Sequence, residues 1–419
     1  MQLDSELIRA QFPALNRPDI FFDNPGGTQI AKRSLDRINQ YLLRHNANHG
    51  GAFATSRESD VILEEAHVAV ADLLNAARPE EIVFGNNMTT LTLHVSRSLS
   101  RSWQPGDEIV VTRLDHDANY SPWVLAARDR GVTVREVNFH HEDGTLDLED
   151  LHKKLEGRPK LLAVGYASNA LGTINPLAEI IPLAHAAGAL VYVDAVQYVP
   201  HGPVDVQALG CDFLVTSSYK WFGPHAGMLY GRYDLLDDLF AYKVRPASNH
   251  LPGKFETGTQ NHEGIAGVLG AVEYLDWFGT TFGADLADTF GGRYASRRLR
   301  LKQGMAALQR SEAAISQALL EVLLETPGLM LYGLKDASCL NQRVPTYSFR
   351  LKGKQPHFVA EKLGERGIFV WDGNYYALNV TTDLGIEDDG GMVRVGPVHY
   401  NTVEEVQRFA EALWQIARE

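Results

Sequence analysis

The chain has 419 residues, more than one hydrophobic core usually serves, so two domains are expected. Apolar residues make up 45% and charged residues 22%, which is ordinary globular usage, while 39 Lys and Arg against 52 Asp and Glu leave a net charge of −13. That balance disfavours nucleic acid or an anionic membrane as the main partner, and no apolar run reaches the roughly 18 residues a bilayer span requires.

The segment Met1 to Ala10 carries Asp4, Glu6 and Arg9 with no apolar stretch behind it, so a signal peptide is not expected. Two cysteines, Cys211 and Cys339, argue against a disulfide framework and suit a reducing compartment, with the cytoplasm as the expected location. Short apolar runs then follow at Glu81 to Phe84, Glu108 to Thr112, Val132 to Phe139, Leu161 to Tyr166, Leu190 to Asp194 and Phe213 to Ser217. They alternate with helical patterns such as Leu177 to Ala187, which predicts an α/β fold with a mainly parallel sheet. A helix starting near Thr89 would direct its amino end, and the amide groups there, at an anion. No Gly-x-Gly-x-x-Gly follows the early strands, so a nicotinamide cofactor or ATP is a poor candidate.

Beyond about Gly283 the pattern changes. A helical stretch from Tyr294 to Glu325 links to strands near Thr346 to Arg350, Gly367 to Trp371 and Met392 to Val395. These alternate with helices near His357 to Arg366 and Val403 to Ala417, a smaller α/β domain at the C-terminus. The expected division is a large domain over 21–285 and a small one formed by 1–20 with 286–419.

Ligands of open α/β sheets gather at the carboxyl ends of the strands. Asn169, Asp194, Gln197 and Ser217 all fall at such ends, and Lys220 follows three residues after Ser217. A lysine amine can form an imine with a cofactor aldehyde, and a carboxylate such as Asp194 can keep a pyridine nitrogen protonated. The constellation suggests a pyridoxal 5′-phosphate site, with Gln197 on the ring hydroxyl and Ser217 on the phosphate. Each residue taken alone has a structural rival: Thr89 as a helix cap, Asn169 as a turn former before Gly172, Arg394 as a salt-bridge arginine.

Five segments carry a more specific signal: Phe22-Asp23-Asn24-Pro25-Gly26-Gly27-Thr28, Leu114-Asp115-His116-Asp117-Ala118-Asn119, Ser168-Asn169-Ala170-Leu171-Gly172-Thr173-Ile174-Asn175-Pro176, Ser217-Ser218-Tyr219-Lys220-Trp221-Phe222-Gly223-Pro224, and Glu256-Thr257-Gly258-Thr259. In these, from Phe22 to Asn401, the chain resembles the class V aminotransferase and cysteine desulfurase group of fold-type I pyridoxal phosphate enzymes. The resemblance implies an amino acid substrate and no metal, with His116 stacked on the cofactor ring, Asn169 near the ring hydroxyl, Asp194 on the pyridine nitrogen and Lys220 as the Schiff-base lysine. It places Met88 and Thr89 at the phosphate, Tyr219 beside the cofactor, and Arg394 on the substrate carboxylate. It also places Thr259 at the phosphate of a neighbouring protomer, which implies a homodimer with shared active sites.

The departures bear on the reaction. In cysteine desulfurases a mobile loop carries a cysteine that holds sulfur as a persulfide, and the matching stretch here is Gly367 to Ala377, with Tyr376 in the cysteine's place and Trp371 where a basic residue often stands. Tyr219 also replaces the histidine common before the lysine. A β-elimination or carbon–sulfur lyase reaction without a persulfide cysteine is therefore expected, with transamination or epimerisation as alternatives and a non-catalytic cofactor-binding scaffold as a third class. His49, His225, Arg245, Tyr375 and Tyr376 have no role assigned from sequence.

Overall fold

The computed structural model describes residues 4–419. The strands in chain order are β1 (Ile20–Phe21), β2 (Ile82–Gly85), β3 (Glu108–Thr112), β4 (Thr133–Val137), β5 (Leu161–Gly165), β6 (Leu190–Asp194) and β7 (Phe213–Ser217). They continue as β8 (Gly227–Gly231), β9 (Leu329–Tyr332), β10 (Tyr347–Leu351), β11 (Ile368–Phe369), β12 (Trp371–Gly373) and β13 (Met392–Val395).

A seven-stranded sheet in the order β2-β8-β7-β6-β5-β3-β4 forms the frame of the site. Strands β3 to β7 run parallel, as the alternation of apolar runs with helices predicts. Strand β8 is antiparallel to both β2 and β7 and is absent from the sequence-based expectation. Its run Gly-Met-Leu-Tyr-Gly is bracketed by glycines, a composition that reads as a turn. Gly227 is needed there because a Cβ would collide with the Asn87 backbone.

Both faces of the central strands are buried. Val110, Leu162, Val164, Val191, Val193 and Leu214 pack on one side. Ile109, Val111, Leu161, Ala163, Tyr192 and Val215 pack on the other. Burial on both sides is why these strands read as continuous apolar runs instead of alternating ones. The helices His262–Phe282 and Ser296–Glu325 cross closely at Gly279 and Gly304, where a Cβ on Gly279 would strike the Arg300 carbonyl.

A second, four-stranded antiparallel sheet has the order β12-β13-β10-β9. Its core joins Phe349, Val393 and Val395 to Leu319 and Leu323 of the long helix and to Phe409 and Leu413 of the helix Val403–Arg418. That last helix opens on a capping box, with Thr402 Oγ1 accepting the Glu405 amide at 3.2 Å and Glu405 Oε2 accepting the Thr402 amide at 3.1 Å.

The N-terminal segment touches both regions. Phe12 packs edge-on against Phe222 and Tyr274. Arg9 pairs with Glu405 at 2.9 Å. Strand β1 pairs in parallel with β11, and Gly396 donates its amide to the Phe22 carbonyl at 2.8 Å, so residues 20–28 run between the two sheets.

Candidate active site

A cavity opens at the carboxyl ends of β3, β5, β6 and β7, the place such sheets reserve for ligands. Lys220 ends the short 3-10 turn Ser218–Lys220 that follows β7, and its Nζ donates to the Pro25 carbonyl. Burial, joined by the positive charge of Arg394, pulls its pKa down to about 7, against the opposing pull of Asp194 and Asp23. A large share of this amine is thus uncharged at neutral pH, as a nucleophile or base requires.

Asp194 closes β6, with Oδ1 accepting the Val196 amide at 2.9 Å. Burial raises its pKa to about 6, partly offset by the Val196 hydrogen bond and the Lys220 charge. A cationic partner at this carboxylate would relieve that burial.

His116 caps the turn Asp117–Asn119, and its Nδ1 accepts the Ala118 amide at 3.0 Å. A backbone amide can only donate, so the ring proton sits on Nε2. Burial, then the charges of Lys220 and Arg394, lowers its pKa to about 3, and the ring stays neutral. Tyr376 stacks on it with centroids 5.6 Å apart and planes 16° from parallel.

Two amides face the same cavity. Asn169 Nδ2 donates to the Tyr375 carbonyl at 2.8 Å, and because a carbonyl only accepts, Asn169 Oδ1 is the atom left without a partner. Gln197 Nε2 lies 2.9 Å from Thr346 Oγ1 and Gln197 Oε1 has no partner. A hydroxyl can donate or accept, so this amide can turn over and offer either atom to a ligand.

Met88 and Thr89 begin the helix Met88–Leu99, which is capped by Asn87 Oδ1 accepting the Thr90 amide at 2.9 Å, and both line the cavity. Ser217 is fully buried behind them, its Oγ accepting the Met88 amide at 3.1 Å, and does not line the cavity. Tyr219 does line it, with its ring stacked on His225 at 4.9 Å and 14°.

Arg394, in the middle of β13, is buried and donates through Nη1 to the Asn169 carbonyl at 2.8 Å. Its Nε has no partner, and its guanidinium carbon lies 4.4 Å from the centre of the Tyr375 ring. Burial pulls its pKa down to about 10. Thr259 lies apart from this cavity, in a groove with His49, His67 and Glu256.

Sequence reasoning gave no role to Asp115 or Asp23. Asp115 lines the cavity and is held by the Thr112 hydroxyl at 2.7 Å, the Gly165 amide at 2.9 Å and Asn119 Nδ2 at 2.7 Å. Burial raises its pKa to about 7. Burial likewise raises Asp23 to about 6, against the charges of Arg394 and Lys220, and Asp23 Oδ1 has no partner. Both sit inside the recognised segments, and the available signal was a carboxylate beside a motif residue.

Comparison with known proteins decides the family. The model described as "Aminotransferase class-V" matches residues 20–289 and 286–409. The chain belongs to the class V aminotransferase family. A protein described as aminotransferase-like, FGM3 of Gibberella zeae, is 34% identical over 97% of both chains. A cysteine desulfurase of Pectobacterium atrosepticum is 33% identical over 100% of this chain and 99% of its own. The apo cysteine desulfurase of Thermococcus onnurineus NA1 superposes with a TM-score of 0.86 at 29% identity, covering 100% of this chain and 99% of the other.

Class V aminotransferases and cysteine desulfurases depend on pyridoxal phosphate and act on amino acids, and the chain is a pyridoxal phosphate-dependent enzyme of that family. The residues present fit that cofactor. A buried amine near neutrality, a buried carboxylate, two unpartnered amide oxygens and a helix amino end converge on one cavity.

Proposed function

We propose that this family member catalyses a β-elimination of the carbon–sulfur lyase kind on an amino acid, with no cysteine of its own taking the leaving group. The observation that carries this reading is the Tyr375–Tyr376 turn. Both residues have left-handed backbones, with φ of 54° and 60°. The Tyr375 carbonyl is tied to Asn169 and the Tyr376 carbonyl accepts the Asp117 amide at 2.6 Å. One ring covers Arg394 and the other covers His116. A turn held at four points has the character of a fixed wall and not of a swinging arm. Cys211 is fully buried with its thiol pKa pushed up by burial, and Cys339 sits in the turn Ala337–Gln342, so neither lines the cavity.

In this proposal Lys220 would hold the cofactor, Asp194 would pair with its ring nitrogen, and His116 would cover its ring. Asn169 and Gln197 would offer their amides to its hydroxyl side, while Met88, Thr89 and Tyr219 would serve its phosphate and Ser217, whose Oγ accepts the Met88 amide, would steady the start of that helix. Bound there, the cofactor supplies an electron sink for the charge left at the substrate α-carbon. Arg394 holds the substrate carboxylate through its free donor edge. Lys220, as a neutral amine, would take the α-proton, and its protonated form would return that proton to the departing group. The β-bond breaks with its electron pair going to the leaving group, and 2-aminoacrylate is hydrolysed to pyruvate and ammonia.

The protein is further proposed to act as a cytoplasmic homodimer in which Thr259 of one protomer completes the phosphate site of the other. What supports this is the placement of Thr259 in a separate groove edged by Val68 and the 65% exposed Val244. The reading is tested with cofactor-loaded enzyme and a panel of amino acids and cysteine derivatives. Pyruvate should appear together with sulfide or another released β-group. Pyridoxamine phosphate accumulating without elimination products would instead make it an aminotransferase, the activity suggested by the name of its Gibberella relative.

A further inference from the structure

Arg343 lies between the turn Ala337–Gln342 and β10, 5% exposed, and among the described residues none of its hydrogen-bond partners is a carboxylate. A guanidinium without a counter-charge is costly to bury, and an apolar side chain would fill the same volume more cheaply. The planar fork reaches three carbonyls on three separate segments, those of Leu334, Leu171 and Thr346, and its carbon lies 3.7 Å from the centre of the Tyr347 ring.

Two of those carbonyls belong to strands of chain that aim site residues. The Leu171 carbonyl is in the loop Ser168–Ile174, which is fastened along its length: Ser348 Oγ donates to the Ala170 carbonyl at 2.6 Å, the Val344 amide to the Gly172 carbonyl at 2.9 Å, and the Ile174 amide to the Gln342 carbonyl at 2.9 Å. Thr173 and Arg343 form an antiparallel bridge across it. The loop presents Asn169 to the cavity, and the Asn169 carbonyl in turn receives Arg394. The Thr346 carbonyl belongs to the residue whose hydroxyl holds Gln197 at 2.9 Å.

We propose that Arg343 is a positioning residue of the active site, setting the aim of Asn169 and Gln197 into the cofactor cavity and, through the Asn169 carbonyl, the orientation of Arg394 toward the substrate carboxylate. The inference rests on the cofactor and substrate roles given above. Arg343 itself touches neither ligand, and it acts through Leu171 and Thr346.

The test uses the full chain in four forms: wild type, Arg343→Lys, Arg343→Gln and Thr346→Val. Thr346→Val keeps the shape of the side chain and removes only the hydroxyl that holds Gln197. The measurements are the affinity of the apo-protein for pyridoxal phosphate by absorbance titration, the absorbance maximum of the bound cofactor, kcat and KM for the amino acid, and the melting temperature. Arg343→Gln should raise KM by about tenfold or more with a smaller change in kcat, because a misdirected Arg394 weakens substrate binding first. Thr346→Val should weaken cofactor affinity several-fold and shift the absorbance maximum, and Arg343→Lys should recover part of the loss. Variants with wild-type affinity, spectrum and KM would overturn the inference, whatever happens to their melting temperature. Should Arg343→Gln not fold, wild-type cofactor affinity and KM in Arg343→Lys together with unchanged cofactor affinity in Thr346→Val overturn it. A wild-type protein that binds no cofactor would instead undo the functional reading on which the inference stands.

Discussion

A buried amine whose pKa has fallen to about 7 is a different reagent from a surface lysine, and Lys220 owes this to its neighbours. Only the neutral form attacks an aldehyde, so its capture of cofactor is governed by that shifted value. The rate of pyridoxal phosphate uptake by apo-protein should rise about tenfold per pH unit up to roughly pH 7 and then level off. Rapid-mixing absorbance would check this, and a rate still climbing toward pH 10 would mean that the lysine is not desolvated as described. Tyr376 offers a second test at this scale. Its side chain is 73% exposed but shields one face of His116, so Tyr376→Ala should lower turnover while costing at most about 1 kcal/mol of stability. Parallel kinetics and thermal melting separate the two effects. That Lys220, Asp194, Asn169 and Gln197 line one cavity was legible in the sequence, because residues after parallel strands point into one crevice. Asp115, Asp23 and Arg343 were not, since each matters through partners far along the chain, such as Gly165 for Asp115 and Leu171 for Arg343.

Among elements, the loop Ser168–Ile174 brings Asn169 to the cavity and the helix Met88–Leu99 brings Met88 and Thr89. The loop depends on Gly172, whose φ of +79° lies in the left-handed region and whose missing Cβ makes room for the Thr346 and Val344 carbonyls. Gly172→Ala should therefore destabilise the protein by about 1–3 kcal/mol and weaken cofactor binding as well, because Asn169 moves with the loop. Chemical denaturation and a cofactor titration on the same variant would show whether the two losses travel together. Periodicity located six of the seven strands of the large sheet, since burial on both faces makes them continuous apolar runs. It passed over β8, where Gly227 lies against the Asn87 backbone, and the pairing of two-residue β1 with β11, which is too short to leave a pattern.

For the whole molecule, the resemblance of dispersed segments conveyed the architecture better than any local pattern, because those segments meet only in the folded chain. The proposed division at 20 and 285 can be probed by limited proteolysis, with the packing of Phe12 on Phe222 and Tyr274 favouring fragments that stay associated. If Thr259 completes a partner's phosphate site, cofactor affinity should fall as the protein is diluted through its dimer dissociation range. Analytical ultracentrifugation paired with cofactor fluorescence would detect this, and a monomer that keeps full affinity would exclude a shared site.

The contact between Lys220 Nζ and the Pro25 carbonyl joins residues 195 positions apart, and that between Arg394 and Asn169 joins residues 225 apart. Neither short stretches of chain nor a half-finished polypeptide can close such a chamber. Until those contacts form, Lys220 lacks part of the burial and the Arg394 charge that lower its pKa. The charge of Arg394 on β13 adds to burial in lowering the Lys220 pKa, so the amine reaches its full reactivity only when both sheets are in place, and cofactor loading should report on completed folding.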